Sequence, residues 1–339
     1  MNDFYSMDDF YLIDKIDAHI HLNSERTELF ELAKENKFKF ITIKTDVPFF
    51  PSLAKQQEFI DLAHKQYNEG INFLTTFSLQ SWGSKNWADQ TIEKLKVDFD
   101  NGALGVKVWK NIGMTFRNTE NQFVMIDDLH FDPVVNYIIQ QNKVILGHLG
   151  EPKNCWLPLE SMTVKNDKEY FKEHPEFHMF LHTEYPSYNA QIVARDNLLM
   201  RHPTLQFIGA HLGSLEWSID ELAKRLEKFP NMAVDMADRI CHLQYQSKNN
   251  REMVRDFLIK YQNRVIYATD FIVESSMDAN VKDIWKQTWI NDWKYFVTNE
   301  SMTDKKVNGE FFGLHLPKEV IKKIYFYNAI KWFNIKFYN

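Results

Sequence analysis

Lys15-Ile16-Asp17-Ala18-His19-Ile20-His21-Leu22 is the stretch on which the reading of this chain turns. Its β-branched, alternating character reads as a strand, and the residues that follow, Asn23-Ser24-Glu25, contain no glycine. An open doubly wound sheet usually carries a phosphate-binding glycine pattern directly after its first strand, and that pattern is missing here. Working outward, seven more short apolar runs recur: Phe38–Asp46, Ile71–Leu79, Leu104–Trp109, Lys143–Leu149, Leu205–Leu212, Met232–Asp238 and Arg264–Asp270. Helical patterns lie between them, among them Leu53–Tyr67, Trp87–Asp100, Pro133–Gln141, Ala190–Arg201, Leu215–Lys228 and Arg251–Tyr261, with a last one at Pro317–Phe333. Asp132 before Pro133 reads as an N-cap followed by proline at the first helical position. Eight βα units in series predict a parallel sheet closed into a (β/α)8 TIM-type barrel, a single domain over residues 1–339.

Two gaps between runs are longer than a crossover helix needs. Residues Glu151–Thr183 follow the fifth strand, and Phe271–Leu316 follow the eighth. Insertions after strands fall on the C-terminal face of a barrel, where active sites are built, so 151–183 is expected to be lid-like.

Composition excludes several function classes. The 339 residues carry a net charge of −6, against a protein built to neutralise nucleic-acid phosphates. No run approaches 18 consecutive apolar residues, which argues against a membrane span. The acidic N-terminus MNDFYSMDDF has no apolar signal core, so a cytoplasmic location is expected. Cys155 and Cys241 are too few for a disulfide scaffold. Aromatic residues make up 15% of the chain, which points to large buried packing area.

The ends of the strands carry the chemistry. On an extended strand His19 and His21 point the same way, about 6.6 Å apart, and two imidazoles there can chelate a metal. The fifth strand ends in VILGHLGEP at His148, the sixth in FIGAHLGS at His211, and the eighth in VIYATDF at Asp270. Each is an apolar run closed by one metal-capable polar group, and a buried polar group needs partners. The fourth strand places Lys107 between valines, where burial lowers an amine's pKa. A lysine paired with Asp270 is the plainer alternative. Arg239, just beyond the seventh strand, stands where an anionic substrate would be anchored. Glu151 and His182 stand beside the expected mouth as substrate contacts, and Trp82, Trp109 and Tyr185 as candidate walls. His174, His178 and His182 are spaced by four and would share a face on one helix.

The set resembles the amidohydrolase superfamily of metal-dependent barrel enzymes, and more closely its amidohydrolase-related branch, from IDAHIH to the closing LPKEVIKKIYFYNAIKWF. The resemblance implies metal ligands at His19, His21, His148, His211 and Asp270. It also implies a carbamylated, metal-bridging Lys107 if two ions are bound. One or two divalent ions are expected, with zinc suited to imidazole and carboxylate ligands. The implied activity is hydrolysis of a small amide, ester or lactone-type substrate, with Asp270 as general base to a metal-activated water and His211 as a polarising group. Non-oxidative decarboxylation or hydration is the alternative within the same superfamily. TatD-type nucleases share D-x-H-x-H, but they normally offer a strand-4 glutamate where this chain has Lys107. A non-catalytic binding barrel should have lost ligands, and here all are present. The expected partner is a small molecule, without nucleic acid or membrane; homo-oligomerisation is left open.

Overall fold

Parallel pairing runs without interruption around a single sheet. The computed structural model describes residues 3–67, 70–278 and 280–336. Its strands are β1 (Lys15–Leu22), β2 (Phe38–Ile43), β3 (Ile71–Thr76), β4 (Gly105–Val108), β5 (Val144–Gly147), β6 (Phe207–Gly209), β7 (Met232–Asp235), β8 (Val265–Ile266) and β9 (Phe271–Val273). They pair in chain order from β1 to β8, and β9 returns to lie beside β1. β8 and β9 are two halves of one eighth strand. The first half bonds β7, and the second registers Ile20 against Phe271. Between them Ala18 N–H donates to Tyr267 O and Asp270 N–H to His19 O. The sheet therefore closes on itself as a TIM-type barrel with helices around it.

The interior is filled by small and branched side chains, including Ile16, Ala18, Ile43, Leu74, Leu146, Ile208, Ala233 and Ile266, all buried. Trp332 and Phe333 of the closing helix pack on this cluster. The outer layer, between strands and helices, holds most of the aromatic residues, such as Phe38 stacked on Trp289. The seven apolar runs read beyond β1 extend past the paired residues, because the chain stops pairing and spreads to form the mouth. Phe38–Asp46, for example, pairs only to Ile43.

Local corrections have physical causes. Asp132 is not the N-cap; Phe131 is, and the Asp132 carboxylate is drawn instead to Arg201 Nε and His202 Nε2, both at 2.9 Å. The helix read from Arg251 begins at Ile240 and kinks at Asn250. The three histidines spaced by four do not share a helix. Helix Lys165–Glu173 ends just before Pro175, and His178 lies beyond it, buried with its ring on Leu157 O.

Residues 151–183 are a series of short turns around helix Lys165–Glu173. The excess after the eighth strand contains helix Val281–Val297 and an antiparallel hairpin, β10 (Ser301–Asp304) with β11 (Val307–Phe312). The two insertions meet at Lys306, whose carbonyl accepts from the backbone N–H groups of Lys165 and Asn166. Among the described residues no helix is long and apolar enough to cross a membrane.

Candidate metal centre

β1 carries an irregularity between Asp17 and Ile20, and it decides which way each side chain points. Ile16 and Ala18 pack into the barrel interior. Asp17 turns to the outer layer, where it accepts from Thr269 Oγ1 at 2.6 Å, Thr269 N–H at 3.0 Å and Trp289 Nε1 at 3.4 Å. Beyond the irregularity His19 and His21 converge on Asp270: each Nε2 stands 3.3 Å from Asp270 Oδ1. A bulge re-aims side chains in this way.

The outer nitrogens of these rings are already engaged. His19 Nδ1 lies 2.8 Å from Asp235 Oδ2 and His21 Nδ1 lies 3.0 Å from Ile43 O. Both partners are acceptors, so each Nδ1 carries the proton and each Nε2 presents a lone pair. Two lone pairs facing a carboxylate oxygen repel unless a cation lies between them. The ligand atoms of His19, His21 and Asp270 all fall within 4.8 Å of one another. The donor set, its spacing and its fixed tautomers therefore fit a divalent metal.

Three more predicted groups border this point. Lys107 Nζ is 3.2 Å from His19 Nε2, and burial lowers its pKa to about 8. The His211 ring centroid lies 5.2 Å from that of His19 and 4.2 Å from that of His148. His211 Nδ1 is held by Ala237 O at 2.8 Å, while His148 Nε2 is buried with no hydrogen-bond partner among the described residues. Burial, followed by neighbouring positive charge, holds His148 well below the usual imidazole range. Burial also lowers His19, and brings His211 down to about 3. Neutral imidazoles are what metal ligation requires. For Asp270, burial favours the protonated acid, and positive charge at the positions of His19, His21 and His211 outweighs it and holds the carboxyl well below its ordinary value; with those rings neutral, a cation among them would supply that charge.

Asp235, at the end of β7, organises the centre from behind. It takes the His19 ring, the His211 N–H at 2.7 Å and the Ala237 N–H at 3.2 Å. His211 adopts a left-handed backbone with φ 58°. That conformation is uncommon for a side chain with a Cβ, and the bond from its N–H to Asp235 fixes it. Sequence reading missed both Asp17 and Asp235. The first of them stands in the same D-x-H-x-H run that supplied the ligands; the second opens the DMADR segment that was searched only for Arg239.

The predicted substrate contacts divide. Glu151 is buried against Lys110, an ion pair at the mouth. Arg239 donates from Nη1 to Asp238 Oδ2 at 2.9 Å, its Nε has no hydrogen-bond partner among the described residues, and its charge acts on both His148 and His211. Asp167 and Glu216 lie near enough to stabilise it. His182 is held within the insertion, its Nε2 3.0 Å from Pro175 O. Trp82 packs with Trp87 and Phe131, and Tyr185 with Phe123. Trp109 does line a cavity of about 260 Å³ that opens on Lys107, with Asp46, Ser78, Gln80 and Asn111 around it. Phe50 stands over His21 and Phe49 reaches from it to Trp109.

The amidohydrolase family model matches residues 173–335, the stretch that contributes His211, Asp235 and Asp270. That match covers just under half of the chain, and over it the chain is similar to the amidohydrolase family. Among solved structures it is similar to a protein assigned as a 2-pyrone-4,6-dicarboxylic acid hydrolase from Pseudomonas putida, with TM-score 0.51 and 10% identity over 96% of this chain and 99% of that one. It is also similar to a 4-oxalomesaconate hydratase from Rhodopseudomonas palustris, with TM-score 0.50 and 12% identity over 94% of this chain and 95% of that one. At such identities the likeness is one of fold. No curated protein sequence matches the chain.

Proposed function

We propose that this protein is a metal-dependent hydrolase of small molecules with an amide, ester or lactone-type carbonyl. The observation that carries the reading is the convergence of three lone-pair atoms, on His19, His21 and Asp270, that no proton or amine fully neutralises. His148, with its unpartnered Nε2, would complete a single site. With two ions, His148 and His211 would hold the second and a carbamylated Lys107 would bridge. Zinc suits these ligands. A bound divalent ion would lower the pKa of water and polarise a carbonyl oxygen.

The chain's own groups supply the rest. Asp270 Oδ1, 3.3 Å from the Nε2 atoms of His19 and His21, is placed to accept the proton of the attacking water and return it to the leaving group. His211, neutral and donating its Nδ1–H to Ala237 O, presents the Nε2 lone pair beside the reacting carbonyl and can accept a proton there. The 260 Å³ cavity at Lys107 would receive the substrate, with Phe49, Phe50 and Trp109 shielding it from water. We place residues 1–339 in one barrel domain, with 151–183 as the wall that sets substrate choice.

Elemental analysis of untreated protein, followed by chelation and a carbonyl-substrate screen with product identification, tests the reading. Bound zinc or a related divalent ion, loss of activity on chelation and recovery on re-addition are expected. Full activity in verified metal-free protein, or products of decarboxylation or hydration alone, would overturn it.

A further inference from the structure

A cavity of about 590 Å³ lies between helices Ile240–Lys260 and Val281–Val297 and reaches the ends of β7 and of the eighth strand at Asp238 and Thr269. It is distinct from the cavity at Lys107, and its volume is that of a small-molecule site. Several polar groups on its wall are already bonded. Lys306 Nζ is 2.6 Å from Asp238 Oδ1, Tyr267 OH donates to Asp292 at 2.8 Å, and Thr269 Oγ1 donates to Asp17. Gln244 is not. Its side chain lines the cavity, the residue is only 2% exposed, and its amide makes no hydrogen bond among the described residues. Its amide opens onto the cavity instead of being sealed from water, so both its donor and its acceptor are free for a ligand there. Across the cavity, helix Val281–Val297 contributes Asp283, Thr288 and Asn291 to the wall. Asp283 is in no ion pair among the described residues.

We propose that this cavity is a binding site for a neutral polyhydroxylated molecule about the size of a monosaccharide. Asn291 Oδ1 already accepts from Gln287 Nε2 at 2.8 Å and Thr288 Oγ1 donates to Ile284 O at 2.9 Å, which leaves the Asn291 amide N–H groups as donors and the Thr288 oxygen as an acceptor beside the Gln244 amide; such a mixed set matches hydroxyls rather than a purely donating cation or a purely accepting anion. The Asp283 carboxylate accepts only, which suits two adjacent hydroxyl donors. Charges on the wall are mixed, with Lys305 and Lys306 against the aspartates, so no field of one sign is available to hold an ion. Ile240 and Ala268 offer apolar surface to the carbon face of such a ligand.

The site adjoins the metal centre through two residues. Thr269 holds Asp17 and directly precedes Asp270; Asp238 holds the Arg239 guanidinium. Occupancy would therefore be felt at the centre, although the binding itself does not depend on the hydrolytic reading.

Calorimetric titration of the full chain with glucose and with myo-inositol tests the assignment, run beside glucose 6-phosphate and spermidine, with zinc present and after chelation. Saturable binding of a neutral polyol is expected in both metal states. It should weaken at least tenfold in Gln244→Leu and vanish in Thr288→Trp, whose indole would fill the space. Far-ultraviolet circular dichroism and metal content should match the unaltered protein, which keeps the result separate from any failure of the metal reading. No binding of either neutral polyol, binding confined to the charged probes, or binding unchanged in the variants would overturn the proposal.

Discussion

Asp235→Asn isolates what the carboxylate behind the metal centre contributes. The side chain keeps its shape but exchanges one acceptor for an amide donor. If the remaining oxygen stays on the His211 N–H, now 2.7 Å away, the amide faces His19 Nδ1. His19 must then move its proton to Nε2, which aims it at Asp270 and removes the lone pair from the ligand set. If the amide turns over, the His211 N–H loses its acceptor instead. Either way one charge-assisted bond becomes a donor–donor contact. A hydrogen bond to a charged group contributes about 1.5–3 kcal/mol, and loss of a group that orients a metal-bound histidine lowers metal affinity about 10–100-fold. Asp235→Ala should cost more in stability, about 2–5 kcal/mol, because the His211 N–H is stranded in either case. Unfolding entropy for a chain of this length is on the order of 0.7 kcal/mol per degree, so the shift in Tm is about 3–7 °C. The assay is zinc titration against a chromophoric competitor, paired with thermal unfolding of chelated protein. Zinc affinity within twofold of the unaltered protein in Asp235→Asn would refute the tautomer argument.

Three other perturbations follow from the same geometry. Asp270→Asn should lower turnover by about 10²–10⁴-fold with the fold intact, since it removes the proton acceptor while the histidines keep part of the metal; near-normal turnover would move the base elsewhere. Lys107 has a folded pKa of about 8, below its ordinary 10.5, so between those values the unfolded chain binds more protons and stability rises with pH. In chelated, bicarbonate-free protein, Lys107→Met should be more stable below pH 8 by on the order of 3 kcal/mol, with the gap closing toward pH 10.5. Denaturant melts at several pH values check this, and a pH-independent gap would contradict it. Asp167→Ala removes the buried hydrogen bond from Asn154 at 2.8 Å and the close approach to His242 Nε2 at 3.1 Å, and should open residues 157–183 to limited proteolysis. An unchanged cleavage pattern would show that other contacts hold the loop.

The barrel was legible because its signal is local. β1 and helices Leu53–Tyr67 and Trp87–Asp100 have the bounds their periodicity implies. Helix Val281–Val297 left an equally plain trace, with Trp285, Trp289 and Trp293 spaced by four and all buried, yet its stretch was read only as excess length. Candidate ligands at strand ends could be read because the strands could. What they bond to could not, because those partners are distant: Asp235 meets His19 across 216 positions. The break in the histidine series was visible at Pro175, which overrides a spacing of four. The bulge in β1 left no mark, since Asp17, His19 and His21 look equivalent by alternation, and only the closed sheet sends Asp17 outward and the histidines inward.

Closure of the barrel sets an order of events in synthesis. The eighth strand bonds the first, and Thr269 meets Asp17 across 252 positions. Loop entropy disfavours such a contact until the intervening strands are laid side by side. A nascent chain released before Asp270 can hold the first histidine pair but cannot bring the aspartate to it. If the proposed ion binds, its capture should therefore come at the end of assembly and would report a finished barrel rather than seed one.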